Sequence, residues 1–174
     1  MINQVKTPAK VTTRRRVTAA LGLMLAAGLA QGQVQVNASE TLSEADLSAG
    51  TFMGQGFSLS ASTVFDINDG GVIGPVGDGN PFPGIPFDFG GSTVNINDGG
   101  LFESTSSSQS AVSNIMLNVV DGGSVGSRFD ALAGSEVNIS GGSVGSSFQA
   151  LDGSTVTISG GTVGDNFAAL AGST

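Results

Sequence analysis

The chain of 174 residues contains no cysteine, histidine, tyrosine or tryptophan. Without cysteine there are no disulfide bonds, thiolate nucleophiles or thiolate metal ligands. Without histidine and tyrosine, the chain lacks the commonest general base and most of the rings that stack on sugars. The side chains left for chemistry are carboxylates, hydroxyls and amides. We therefore predict a protein that is not an enzyme and has no cofactor, with bound Ca²⁺ as the one exception.

Basic residues are also scarce, and five of the six lie in the first 16 residues. They precede an apolar stretch at residues 17–30, which is shorter than the roughly 20 residues that span a bilayer. Small residues that suit a signal peptidase occur at Gly28 and Ala30, and again at Val36 and Ala38. This order predicts a signal peptide with its cleavage region at residues 1–38, and a secreted or cell-surface protein.

Cleavage after Ala38 would leave Arg128 as the one basic side chain against 14 Asp and Glu, a formal net charge of −13. Such a chain cannot neutralise phosphates, which excludes nucleic acid as a partner. The same charge disfavours anionic membranes, and we expect no insertion into a bilayer after the signal is removed. Cations and polymers of the cell surface or matrix are the expected partners.

A repeat of 19 residues fills the C-terminal part of the chain. Three copies begin at Gly122, Gly141 and Gly160, and each carries a phenylalanine and a leucine at the same position: Phe129, Phe148 and Phe167; Leu132, Leu151 and Leu170. Glycine pairs also begin at Gly70 and Gly99, so the repeat extends further back with insertions. A fixed short period with apolar positions in register indicates a solenoid, in which each unit packs on its neighbours.

Each repeat has the pattern of short strands separated by glycine turns. Val137 and Ile139 alternate with polar residues, Val144 lies in a second strand, and Phe148, Ala150 and Leu151 form a third apolar contact. We predict an all-β fold, a parallel β-helix with about 19 residues per coil. An antiparallel sandwich also uses many short strands, but does not require a 19-residue interval. The period leaves the handedness of the solenoid open.

The predicted organisation is a lead-in at residues 39–49 followed by a solenoid at residues 50–174, with about six coils. Two loop insertions are expected, at residues 75–91 and 104–113. The first holds four of the five prolines, and we expect its phenylalanines, Phe82, Phe87 and Phe89, to cover an open flank of the stack. The chain stops inside a repeat, which we interpret as truncation and which would allow end-to-end stacking of coils.

Three columns of polar residues are the candidates for a site. Asp69, Asp98 and Asp121 each precede a glycine pair, and stacked carboxylates either remain solvated or hold a cation such as Ca²⁺. Outward asparagines are expected to form an amide ladder, at Asn95, Asn118 and Asn138. Arg128 is expected to pair with a nearby carboxylate such as that of Asp130.

The wording of the repeats, from Gly134 to Leu151 and from Gly153 to Leu170, resembles that of large exported bacterial proteins. Those proteins are typical of planctomycete-like genomes, and often carry a PEP-CTERM sorting tail or are described as autotransporter- or hemagglutinin-related. The resemblance implies an acidic structural or adhesive scaffold, adhesin-like, of the cell surface or extracellular matrix. The alternative is a β-helix enzyme acting on polysaccharides, a lyase or hydrolase, which would use paired carboxylates.

Overall fold

The computed structural model describes residues 33–37, 39–53, 55–77, 86–105 and 109–174. Almost all of these residues belong to three parallel sheets in which strands of successive turns of the chain lie side by side. The predicted parallel β-helix is therefore confirmed. Most of the predicted signal peptide, residues 1–32, lies outside the described residues, as do Ala38 and Phe82.

Sheet 1 contains the longest strands, each of four residues with alternating inward and outward side chains. Its strands, in spatial order, are β1 (Gln33–Val36), β5 (Val64–Ile67), β8 (Thr93–Ile96), β11 (Met116–Val119), β14 (Glu136–Ile139) and β17 (Thr155–Ile158). Val137 and Ile139 point inward, as the alternation predicts, and are 1% exposed.

Sheets 2 and 3 consist mostly of strands of two residues. Sheet 2 contains β2 (Thr41–Leu42), β6 (Val72–Ile73), β9 (Leu101–Phe102), β12 (Ser124–Val125), β15 (Ser143–Val144) and β18 (Thr162–Val163). Sheet 3 contains β7 (Phe87–Asp88), β10 (Ser110–Ser113), β13 (Phe129–Ala131), β16 (Gln149–Ala150) and β19 (Ala168–Ala169). One strand from each sheet makes a coil, and we number the six coils by their sheet 1 strands.

The core is a column of side chains that continues from coil to coil. Phenylalanine rings follow one another at centroid distances of 5.1 to 6.4 Å, in the order Phe87, Phe89, Phe102, Phe129, Phe148 and Phe167. The predicted stacking of the three repeat phenylalanines is thus confirmed. Such rings contribute contacts beyond the area they bury, which links the coils along the stack.

Coil 1 differs from the others because it has no strand in sheet 3. After β2 the chain forms the short helix α1 (Glu44–Ala49) and an antiparallel hairpin of β3 (Thr51–Phe52) and β4 (Gln55–Gly56). Ser43 caps the helix by accepting a hydrogen bond from the Asp46 amide at 3.2 Å. Leu47 and Phe52 belong to the buried core, so this segment covers the core at the N-terminal end of the stack.

The boundaries of the solenoid differ from the prediction at this end. β1 lies within residues 1–38 and β2 within residues 39–49, yet both pair in parallel with strands of coil 2. Residues 50–63, expected to be a degenerate coil, form the hairpin and a loop instead. The alternation Gln-Val-Gln-Val of β1 is the same period-two pattern as in the later repeats, but it follows directly on the signal-like segment.

Parts of the two expected insertions also belong to sheet 3. In the first, Phe87 and Asp88 form β7, and Phe89 is fully buried, which agrees with the expected role of its phenylalanines as a cover. In the second, residues 110–113 form β10 and not a solvated loop. The buried Ser110 is compatible with a strand because its hydroxyl donates to the Glu103 carbonyl at 2.8 Å.

Candidate functional site

The three predicted aspartates lie where sheet 1 turns into sheet 2, one each in coils 2, 3 and 4. The Oδ1 atoms of Asp69, Asp98 and Asp121 lie over glycines of the following coil, at positions where a Cβ atom would clash: Gly99, Gly122 and Gly141. The glycines therefore leave room for the carboxylates of the coil before them. This packing explains why aspartate and glycine recur together in the turn.

The aspartate column stops after coil 4 because the turn becomes shorter. Four residues separate the sheet 1 and sheet 2 strands in coils 2 to 4, whereas three separate them in coils 5 and 6. Accordingly, Met116 pairs with Glu136, 20 residues on, but Ser124 pairs with Ser143, 19 residues on. Gly141 occupies the place over Asp121 where a fourth aspartate would extend the column.

The described part of the chain contains no group of three or more His, Cys, Asp or Glu side chains close enough to hold a metal ion. Each aspartate of the column lies against a glycine of the next coil and belongs to a different coil. Whether the column takes up Ca²⁺ from solution thus stays a prediction, and a single substitution distinguishes the two outcomes.

If the aspartate column binds Ca²⁺, millimolar calcium should raise the melting temperature, because a ligand that binds only the folded state stabilises it. Asp98→Asn, which removes the central charge and keeps the shape, should then abolish most of that rise. Asp165→Asn removes an exposed charge outside the column and serves as the control. A rise that magnesium or sodium chloride reproduces at equal ionic strength would indicate screening alone and would rule out the calcium site.

The predicted amide ladder is confirmed on the outward face of sheet 1. Asn138 Nδ2 donates to Asn118 Oδ1 at 3.2 Å, and Asn118 Nδ2 donates to Asn95 Oδ1 at 2.9 Å. Asn95 in turn donates to Asp66 Oδ1 at 2.7 Å, a residue that the sequence did not single out. A signal for Asp66 was present, since it occupies the same place in its strand as the three asparagines.

Asp66 connects the amide ladder to coil 1. Its Oδ2 atom accepts hydrogen bonds from the side-chain amides of Gln33 at 2.8 Å and Gln35 at 2.6 Å. A second, shorter ladder runs beside the first, in which Asn97 donates to Asn68 and Asn68 donates to Gln35 and Asn37. The ladders use amide groups to join five coils, so they reinforce the stack in the way that stacked amides do in cross-β assemblies.

Arg128 and Asp130 lie at the start of sheet 3 in coil 4. Burial raises the pKa of the Asp130 carboxyl from 3.8 to about 6, and the charge of Arg128 acts in the opposite direction without cancelling it. Neighbouring strands place Ala111 and Gln149, neither of them charged, on either side of Asp130. The predicted electrostatic link between Arg128 and Asp130 is therefore present, but desolvation outweighs it.

The raised pKa of Asp130 predicts that the protein becomes less stable as pH rises. Between about pH 4 and 6 the folded state keeps a proton that the unfolded state has lost, so the free energy of unfolding falls across this interval. Asp130→Asn should match the wild type near pH 4 and melt at a higher temperature at pH 7. Asp165→Asn is again the control, and equal pH slopes for the wild type and Asp130→Asn would contradict the assignment.

A shallow groove of about 500 Å³ follows the corner between sheet 3 and sheet 1. Its walls are Pro86, Ser113, Asn114, Leu132, Ala133, Gly134, Leu151 and Asp152. The sequence predicted an inward position for Leu151, but Leu132 and Leu151 lie at this corner and are only partly buried. They follow the last inward residue of each sheet 3 strand, so the alternation turns them away from the core.

Comparisons with known proteins found no matching family model, no matching curated protein and no matching solved structure. Within the described residues, no helix has the length and apolar character needed to cross a membrane.

Proposed function

We propose that the protein is an exported, acidic structural or adhesive scaffold of the cell surface or extracellular matrix. The observation that carries this proposal is the use of the side chains. In the described coils, apolar groups pack coil on coil and the amides of sheet 1 bond coil to coil, so the residues serve the continuity of a column. A stack of this kind is a stiff spacer that presents its acidic surface along its length.

The formal net charge of −13 for the predicted mature chain supports a cationic partner. Binding to an amine-bearing polysaccharide tests this. Purified exported protein should sediment with chitosan at low salt and be released at about 1 M salt, where the Debye length is about 3 Å. Chitin, whose amines are acetylated, is the matched control. Equal binding to both polymers, or none to chitosan, would contradict charge-based adhesion.

The last coil adds a second route to assembly. Ile158, Phe167 and Leu170 are 48%, 38% and 40% exposed, although the equivalent residues of coil 5 pack against coil 6. This face supports the predicted end-to-end stacking of coils. Association would be restricted to this end, because α1 and the hairpin cover the core at the other end.

A polysaccharide-active enzyme is the alternative, and one observation favours it. Asp130 has a carboxyl pKa raised to about 6, which is a property of a general acid in glycoside hydrolysis. In the binding assay the enzyme would release reducing ends from a polysaccharide, and Asp130→Asn would stop the release. The scaffold proposal predicts no release by either protein over the same incubation.

A further inference from the structure

We infer that the export signal is removed between Ala30 and Gln31 and not after Ala38, so that the mature chain keeps residues 31–38. The inference rests on the proposed export and specifies its processing site. Both candidate sites have small residues one and three positions before the cut. The sequence cannot rank them, whereas the structure distinguishes them, because the strand β1 lies between the two sites.

The backbone of β1 is an integral part of sheet 1. All four of its residues pair in parallel with β5, from Gln33 with Val64 to Val36 with Ile67. The Val36 carbonyl also accepts a hydrogen bond from the Asn68 amide at 2.9 Å, and Gly71 packs directly against this carbonyl. Removal of β1 would leave these groups of coil 2 without their partners and make β5 an open edge.

The side chains of β1 are equally engaged on both faces of the sheet. Inward, Val34 is 4% exposed and Val36 is fully buried, and both belong to the core. Outward, Gln33 and Gln35 supply two of the three amide donors that Asp66 accepts. A chain that began at Ser39 would therefore expose the coil 2 core and end the amide ladder on a carboxylate with one amide donor.

Cleavage after Ala30 avoids this loss. In that reaction a signal peptidase adds water across the Ala30–Gln31 peptide bond, which leaves a carboxylate on Ala30 and an amino group on Gln31. Two residues, Gln31 and Gly32, then precede β1 in the mature chain. Residues 31–38 contain no charged side chain, so the formal net charge of −13 is the same for either cut.

The test is to produce the full-length chain in a bacterium with a secretion pathway and to determine the N-terminus of the exported protein by intact mass and terminal peptide sequencing. We expect Gln31 as the first residue. Ala30→Leu should reduce processing at this bond at least tenfold, whereas Ala38→Leu, the matched control, should be processed like the wild type.

The outcomes separate this inference from the proposed function. An exported protein that begins at Ser39 would overturn the inference and leave export intact. A cytosolic protein that retains Met1 would overturn both. If Ala30→Leu blocks export altogether, the N-terminus of the exported Ala38→Leu protein still decides, because a start at Ser39 in that variant would equally contradict cleavage after Ala30.

Discussion

Phe148→Ala should destabilise the protein by about 3 to 5 kcal/mol. Phe148 is 1% exposed, and its ring lies between those of Phe129 at 5.9 Å and Phe167 at 5.2 Å. Truncation to alanine leaves a cavity inside the stack, and the neighbouring coils are held in register by their own ladders, so they cannot easily close it. Denaturant unfolding followed by circular dichroism measures the change.

Asn138→Ala is the control for the direction in which side chains point. Asn138 lies on the outward face and donates to Asn118 and to Glu136 at 3.2 and 3.1 Å. Loss of these partly solvated hydrogen bonds should cost about 1 kcal/mol. Equal destabilisation by Phe148→Ala and Asn138→Ala would contradict the assignment of inward and outward faces.

Gly123→Ala should destabilise the protein by about 3 kcal/mol or more, although it adds only one methyl group. Gly123 lies in the turn between sheets 1 and 2 of coil 4, where a Cβ atom would overlap the backbone carbonyl of Ile96 in coil 3. Backbone held on both sides by ladders cannot move aside cheaply, so the added atom must push the coils apart.

Gly74→Ala provides the matched control for this substitution. Gly74 also lies just after a strand, but a methyl group added there would be 3.8 Å from its nearest neighbouring atoms, which is ordinary van der Waals contact. The melting temperature of Gly74→Ala should stay close to that of the wild type. If Gly123→Ala melted like Gly74→Ala, successive coils could not be as close together at this turn as the structure places them.

The parallel stack could be predicted because the later repeats are regular. Coils 5 and 6 pair Val137 with Val156 and Val144 with Val163, each 19 residues apart, as the period requires. The amide ladder followed from the same reasoning, since equivalent positions of a parallel sheet lie about 4.8 Å apart. A fixed period thus determines both the fold class and which side chains become neighbours.

The early coils could not be predicted in the same detail because local signals and tertiary pairing disagree there. β7 has two residues, follows a proline cluster and has no alternation long enough to recognise. β10 lies in a serine-rich segment, and its place in sheet 3 depends on pairing with β7 and β13. α1 and the hairpin have local signals of their own, such as the Ser43 cap, but these do not reveal that the segment covers the core.

The candidate site was predicted in part. The aspartates do recur in one turn on successive coils, but their contact with glycines of the next coil depends on the close approach of two backbones. The raised pKa of Asp130 could not be foreseen either, because its proximity to Arg128 in sequence suggested a lowered value. Burial decides the direction, and burial is a property of the assembled coils.

The central claim is that the chain works as a folded scaffold outside the cell. Fractionation of cells that produce the full-length chain, into cytosol, membranes, surface wash and extracellular matrix, tests this claim most directly. We predict that the protein is found in the surface and matrix fractions, and that protease added to intact cells reaches it. Recovery of the protein mainly in the cytosol, protected from that protease, would contradict the claim.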